Sequence, residues 1–283
     1  MEEISTIKEA KKWLKPIIKK NLKIGFVPTM GALHEGHLML IRKSKSENDI
    51  TVCSIFVNPT QFNNPDDLAT YPRNLAQDSA MLQKNGCDML FCPGADEMYP
   101  GGNTGTVDVD FGMLDKVLEG KFRPGHFKGV AIIVKKLFDI VTPANAYFGK
   151  KDFQQLRIIT RMTEALGLPV NIIPCETVRE HDGLAMSSRN LRLTIGERQV
   201  ARRIFEVLCK VREKGSKTPV WELREWAIKK INEDSRFRVE YFEIADSDTL
   251  MPVESWGQKP QLVALTAVFL GDVRLIDNVE LFS

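Results

Sequence analysis

The sequence predicts an α/β fold: a doubly wound parallel sheet with a smaller C-terminal α+β domain. Three observations predict it. Short apolar, β-branched runs near 24–27, 49–57, 88–92 and 146–148 alternate with helical patterns, as buried parallel strands do. These runs give way to Pro, Gly or Asn, so the turns fall where strands should hand over to helices. Beyond Thr194 the pattern changes to charged amphipathic helices followed by alternating strands. At 283 residues there is room for one large domain or two ordinary ones. The boundary is expected near residue 176, giving domains 1–175 and 176–283.

Thr6 to Lys20 reads as an amphipathic helix, with Ile7, Trp13, Leu14, Ile17 and Ile18 on its apolar side and Pro16 as a local defect. A strand from Lys23 to Pro28 leads through Thr29-Met30-Gly31 into a helical pattern over Leu38 to Ser46. The run Asp49 to Val57 is a central strand, and Pro59 makes Asn58 to Phe62 a loop. The polar stretch Asn63 to Leu68 reads equally as a lid or an ordinary surface loop. A helix over Leu75 to Lys84 stops at Asn85-Gly86, before a strand at Asp88 to Cys92. Thr106 to Asp110 reads as extended. Glu119 to Gly129 is a glycine-rich loop able to lay Arg123 and His126 against a neighbour, before a helix over Val130 to Val141. Ala146 to Phe148 is a strand delivering Gly149 and the lysines Lys150 and Lys151 to a helix ending near Leu166. Val170 to Val178 closes the sheet, and Arg179 to Ser188 is a polar loop. Thr194 and Glu197 have capping-box spacing for one long helix to about Lys214, followed by a second over Val220 to Asn232. Arg238 to Ala245, Gln261 to Leu270 and Val273 to Asn278 read as antiparallel strands with one wet face.

Composition excludes several classes. Thirty-nine basic against 37 acidic residues leave a net charge of +2, which gives no footprint for nucleic acid or an anionic membrane. No apolar stretch is long enough to span a bilayer, and the acidic start Met1-Glu2-Glu3-Ile4 does not read as a secretory signal. The five cysteines form no Cys-x-x-Cys pair and read as free thiols of a reducing cytoplasm.

The chemistry concentrates at Pro28 to His37. A strand that delivers a glycine turn to a helix N-terminus presents free backbone N–H groups and the positive end of the helix dipole to an anion. His34 and His37, three positions apart, are suited to donate to phosphate oxygens. A metal reading of this pair lacks a third ligand nearby. Lys151 supplies a mobile point charge, and Ser187, Ser188 and Arg189 add hydroxyl donors and a planar cationic fork. The sequence has neither a P-loop nor a Gly-x-Gly-x-x-Gly turn. The segments 28–37, 58–62, 149–155 and 186–189 are expected to converge on one cleft between the domains.

Pro28-Thr-Met-Gly-x-Leu-His-x-Gly-His37 resembles the nucleotide-binding signature of the pantothenate synthetases (pantoate–β-alanine ligases), members of the Rossmann-like nucleotidylyltransferase group. The resemblance continues through the later motifs over nearly the whole chain. It implies activation of pantoate by ATP to a pantoyl adenylate, then attack by β-alanine to give pantothenate, AMP and pyrophosphate. It implies catalytic roles for His34, His37, Lys151, Ser187, Ser188 and Arg189. His37 matches the family's proton donor, a role open to an imidazole of ordinary pKa, about 6.5. ATP contacts carry over to Met30, Gly31, Ala32, Leu33, His34, Glu35, Gly36 and His37; to Gly149, Lys150, Lys151 and Asp152; and to Val178, Met186, Ser187, Ser188 and Arg189. Gln61 and Gln155 match the glutamines that hold pantoate, with Gln61 also near β-alanine. Mg2+ is expected with ATP, with Asp78 as its candidate ligand, and a cytoplasmic homodimer is implied. Rival readings are another adenylyl- or cytidylyltransferase, a tRNA-charging or RNA-binding protein, and a non-catalytic scaffold.

Overall fold

The computed structural model describes residues 1–282. The chain forms two compact units. Unit 1 comprises 1–111, 123–150 and 155–176; unit 2 comprises 112–122, 151–154 and 177–283.

Unit 1 is built on a six-stranded sheet: β1 (Glu2–Ile4), β2 (Ile24–Thr29), β3 (Ile50–Ile55), β4 (Met89–Phe91), β5 (Asn145–Gly149) and β6 (Asn171–Cys175). Its order is β1-β4-β3-β2-β5-β6 and every neighbouring pair is parallel. Successive residues of β2 face opposite ways. Phe26 meets Phe138 of helix His126–Val141 edge-on, with ring centroids 6.3 Å apart. Gly25 lies so close to Ser44 of helix Glu35–Glu47 that a Cβ would sit 2.2 Å from its hydroxyl oxygen. Helices therefore cover both faces, as the doubly wound pattern predicts. The strand order reverses between β2 and β5, so the crevice at their carboxyl ends is the ligand position of such sheets.

Unit 2 carries a three-stranded antiparallel sheet, β7 (Phe237–Asp246), β8 (Gln261–Leu270) and β9 (Val273–Phe282), in the order β7-β8-β9. Helices Arg203–Lys214 and Val220–Ile231 pack Ile204, Leu208, Leu223 and Ala227 against Phe242, Ala264 and Val268. Tyr241 and Arg274 both bond the Glu119 carboxylate, which ties segment 112–122 into this unit.

Several expectations need correction. β1 is an additional strand, paired to β4, in a stretch too short to show periodicity. Asn58 is followed by a 3-10 turn, Pro59–Gln61, rather than irregular loop, because the Asn58 side chain accepts from Thr60 N–H and caps it. The helix expected from Val130 begins at His126, where Gly125 takes a left-handed φ of 82° and turns the chain into it. Pro65–Ala69 and Glu119–Phe122 are short helices, and Thr106 to Asp110 forms no strand. The long helix after Thr194 is two pieces, Ile195–Val200 and Arg203–Lys214. β8 is buried almost end to end instead of showing a wet face, since it is the central strand of its sheet.

Candidate active site

In unit 1 the site grows out of the turn after β2. Gly31 has φ 84° and Ala32 φ 49°, and this left-handed pair swings the chain from strand to helix. Asp78, only 2% exposed, pins the turn from below: its two carboxylate oxygens accept from Ala32 N–H at 2.9 Å and Leu33 N–H at 2.8 Å. Burial raises the Asp78 carboxyl above its ordinary value, against the pull of those two bonds.

His34 is the N-cap of helix Glu35–Glu47, and its Nδ1 accepts from Gly36 N–H at 3.2 Å. His37 reaches back so that its Nδ1 accepts from His34 N–H at 3.4 Å, completing a capping box made of two imidazoles. Their ring centroids are 4.1 Å apart. An Nδ1 that accepts leaves the proton of the neutral ring on Nε2, so both histidines hold Nε2–H donors beside a helix N-terminus. Glu35 is exposed and its carboxylate pairs with Arg42, so its part in the site falls to its main chain.

Gln61 is buried, and its Nε2 lies 3.0 Å from Met30 Sδ, which places it beside the same turn. Asn58 sets its orientation. The Asn58 Nδ2 donates to the Gly129 carbonyl at 3.2 Å and to Gln61 Oε1 at 3.1 Å, while Tyr99 donates its hydroxyl to Asn58 Oδ1 at 2.8 Å. A backbone carbonyl only accepts, so the amide orientation of Asn58 is fixed, and Gln61 must present Nε2 as a donor. His126 Nδ1 is 2.8 Å from the Gln61 carbonyl oxygen. Gly149 ends β5, the neighbour of β2, and Lys150 follows it and pairs with Glu176 at 2.7 Å. Gln155 lies half-buried in the first turn of helix Phe153–Ala165.

Unit 2 holds the remaining residues. Lys151 Nζ is 3.4 Å from Asp152 Oδ1, and its side chain is 18% exposed. Burial acts to raise the Asp152 carboxyl, but the charges of Lys151 and Arg189 outweigh it and hold the group below the ordinary carboxylate range. Lys151, Asp152 and Arg189 are thus one electrostatic cluster. Val178 and Met186 face each other across a hairpin, with Met186 N–H donating to the Val178 carbonyl at 3.0 Å and Arg179 bridged to Ala185. Ser187 follows, its Oγ accepting from Arg189 N–H at 3.3 Å, and Ser188 is buried.

Asp78 does not fit the role of magnesium ligand, because its carboxylate is buried and engaged with the turn. Among the described residues no group of three or more His, Cys, Asp or Glu side chains is placed to hold a metal ion.

The chain as a whole matches known proteins. The sequence model of the family described as Pantoate-beta-alanine ligase matches residues 2–280. This chain belongs to that family. It is 48% identical over 280 residues to the pantothenate synthetase of Azobacteroides pseudotrichonymphae and 47% identical over 280 residues to that of Bacteroides thetaiotaomicron, covering 99% of each partner and of itself. Among solved structures it resembles the pantothenate synthetase of Thermus thermophilus, with a TM-score of 0.93, 42% identity and complete coverage of both chains. It also resembles a pantoate-beta-alanine ligase from Francisella tularensis solved with beta-gamma ATP and beta-alanine, with a TM-score of 0.82, 38% identity and coverage of 99% and 97%.

Residues that the sequence alone does not single out are Asn58, Tyr99, Asp277 and Asn278. Asp277 does leave a signal: it stands in phase with Val273, Leu275 and Val279, on the apolar face of an alternating strand.

Proposed function

We infer that this chain is an ATP-dependent pantoate–β-alanine ligase, forming pantothenate from pantoate and β-alanine with release of AMP and pyrophosphate. The observation that carries this reading is the imidazole capping box at the carboxyl end of β2, in a chain that matches the ligase family over 2–280. In the first step a pantoate carboxylate oxygen attacks the α-phosphorus of ATP and pyrophosphate leaves. The carboxylate is already ionised at neutral pH, so the demand is for positioning and for donors to the departing charge. We assign His34, His37, Lys151, Ser187, Ser188 and Arg189 to that task. The remaining ATP contacts are assigned to Met30–Gly36, Gly149, Lys150, Asp152, Val178 and Met186. Gln61 and Gln155 hold pantoate. In the second step the uncharged amine of β-alanine, near Gln61, attacks the acyl carbon of the adenylate and AMP leaves. Magnesium enters this reading with the phosphates of ATP.

The test is purified protein with ATP, pantoate and β-alanine, each omitted in turn. AMP formation should require all three; steady pyrophosphate release without β-alanine, with the adenylyl group retained on the product and no free AMP, would point instead to another nucleotidylyltransferase. His37→Ala or Lys151→Ala should slow pantoate-dependent pyrophosphate release by orders of magnitude with little change in melting temperature. Wild-type release from either would overturn its assignment. Gln155→Ala should raise the KM for pantoate far more than that for ATP, and an equal rise in both would count against its role.

Among the described residues no helix is long and apolar enough to cross a membrane. A cytoplasmic setting is supported by five cysteines that are all free. A homodimer follows from the family resemblance, and sedimentation at assay concentrations tests it.

A further inference from the structure

The strand β9 carries two buried polar residues that the reaction itself does not use. Asp277 is 4% exposed and Asn278 is 7% exposed. Asp277 grips Arg179 with both oxygens, Oδ2 to Nη1 at 2.7 Å and Oδ1 to Nη2 at 2.9 Å. The same Oδ1 accepts from Asn278 N–H at 2.8 Å, which couples the two neighbours. Asn278 then donates its Nδ2 to the main-chain carbonyl of Lys151 at 3.0 Å. Arg179 is further held by the carbonyls of Gly183 and Asn278 and stacks on Phe205, with its guanidinium carbon 3.7 Å from the ring centroid.

We propose that Asp277 and Asn278 are positioning residues that hold two ATP-side segments to one strand: Lys151 through its carbonyl, and Met186–Arg189 through the Arg179 hairpin. The assignment rests on Lys151 and Arg189 acting on ATP, as inferred above. Lysine places its charge at the end of a flexible four-carbon stem, so the position of its ammonium depends on how well the backbone beneath it is fixed. Arg189 lies four residues beyond the Arg179–Ala185 bridge, so its approach is set by the hairpin that Asp277 clamps. Stability alone is a poor reason for such a pair, because a buried ion pair is often no more stabilising than apolar residues of the same volume. Two clamps converging on neighbouring residues of one strand are what precise placement of two cations requires.

The experiment is a pair of double-mutant cycles read by the rate of AMP formation with ATP, pantoate and β-alanine. Asn278→Ala alone should slow the reaction about ten- to a hundredfold, as misplacement of a catalytic group does. In a Lys151→Ala background it should have almost no further effect, because there is no ammonium left to misplace. Asp277→Asn should behave likewise against Arg189→Ala. Asn278→Ser and Arg179→Lys are the second variants should the first not fold, and melting curves report folding in each case. Equal losses in both backgrounds, or parent rates in Asn278→Ala and Asp277→Asn, would overturn the proposal while leaving the ligase reading intact. Parent rates in Lys151→Ala and Arg189→Ala would instead remove their assignment to ATP, and the proposal with it.

Discussion

At the scale of single residues, one side chain with an expected binding role is engaged in structure, and structural atoms orient groups proposed to bind. Asp78, expected to hold magnesium, instead pins the Gly31–Ala32 turn through two N–H bonds. Asp78→Asn turns one acceptor into a donor facing a buried N–H, a change worth about 1–3 kcal/mol. The variant should melt at a lower temperature and bind ATP more weakly, as calorimetry of both processes would show. The histidine pair was legible because its spacing is local. Tyr99 was not, because its role depends on Asn58, 41 positions away in the chain. Tyr99→Phe should leave the Asn58 acceptor without this donor and raise the KM for pantoate more than that for ATP, measured by steady-state kinetics.

At the scale of elements, helix His126–Val141 meets the 59–61 turn at Gly129. A Cβ there would lie 2.5 Å from the Thr60 carbonyl oxygen, a backbone atom with little freedom to move. Gly129→Ala should cost about 1–3 kcal/mol in a urea titration and displace Gln61 enough to weaken pantoate binding. The hairpin 178–186 is braced in a different way, by Arg198 on Asp182. Arg198 holds the Asp182 carboxyl below the ordinary range, chiefly through its hydrogen bonds. A lowered native value stabilises the fold above the unfolded carboxyl's value, about 3.9, and that contribution fades as pH falls through the native one. The stability gap between the parent and Asp182→Asn should therefore be full at neutral pH and shrink below about pH 4. Long periodic elements such as Glu35–Glu47 were readable in the sequence. The break after Val200 was not, because Ala201 and Arg202 keep right-handed helical φ and ψ and the interruption lies only in the hydrogen bonds, with Ile204 N–H donating to the Ala201 carbonyl.

At the scale of the whole molecule, the parallel sheet and the later antiparallel strands were legible from burial periodicity. Segments 112–122 and 151–154 were less so, since their place in unit 2 rests on long-range partners. Glu119 is fixed by Tyr241 and Arg274, and Gln154 bonds the carbonyls of Leu114 and Val117. Arg274→Met would take the guanidinium from the Glu119 carboxylate, which is only 6% exposed, and should destabilise the protein by about 3–5 kcal/mol in denaturant titrations. Arg274, Asp277 and Asn278 all lie on β9, so one strand secures parts of the chain that are made well before it. During synthesis Lys151 emerges more than a hundred residues ahead of its anchor. A nascent chain can thus complete its parallel sheet on the ribosome while Lys151 and Arg189, the cations proposed to act on ATP, still lack their seat on the late strand.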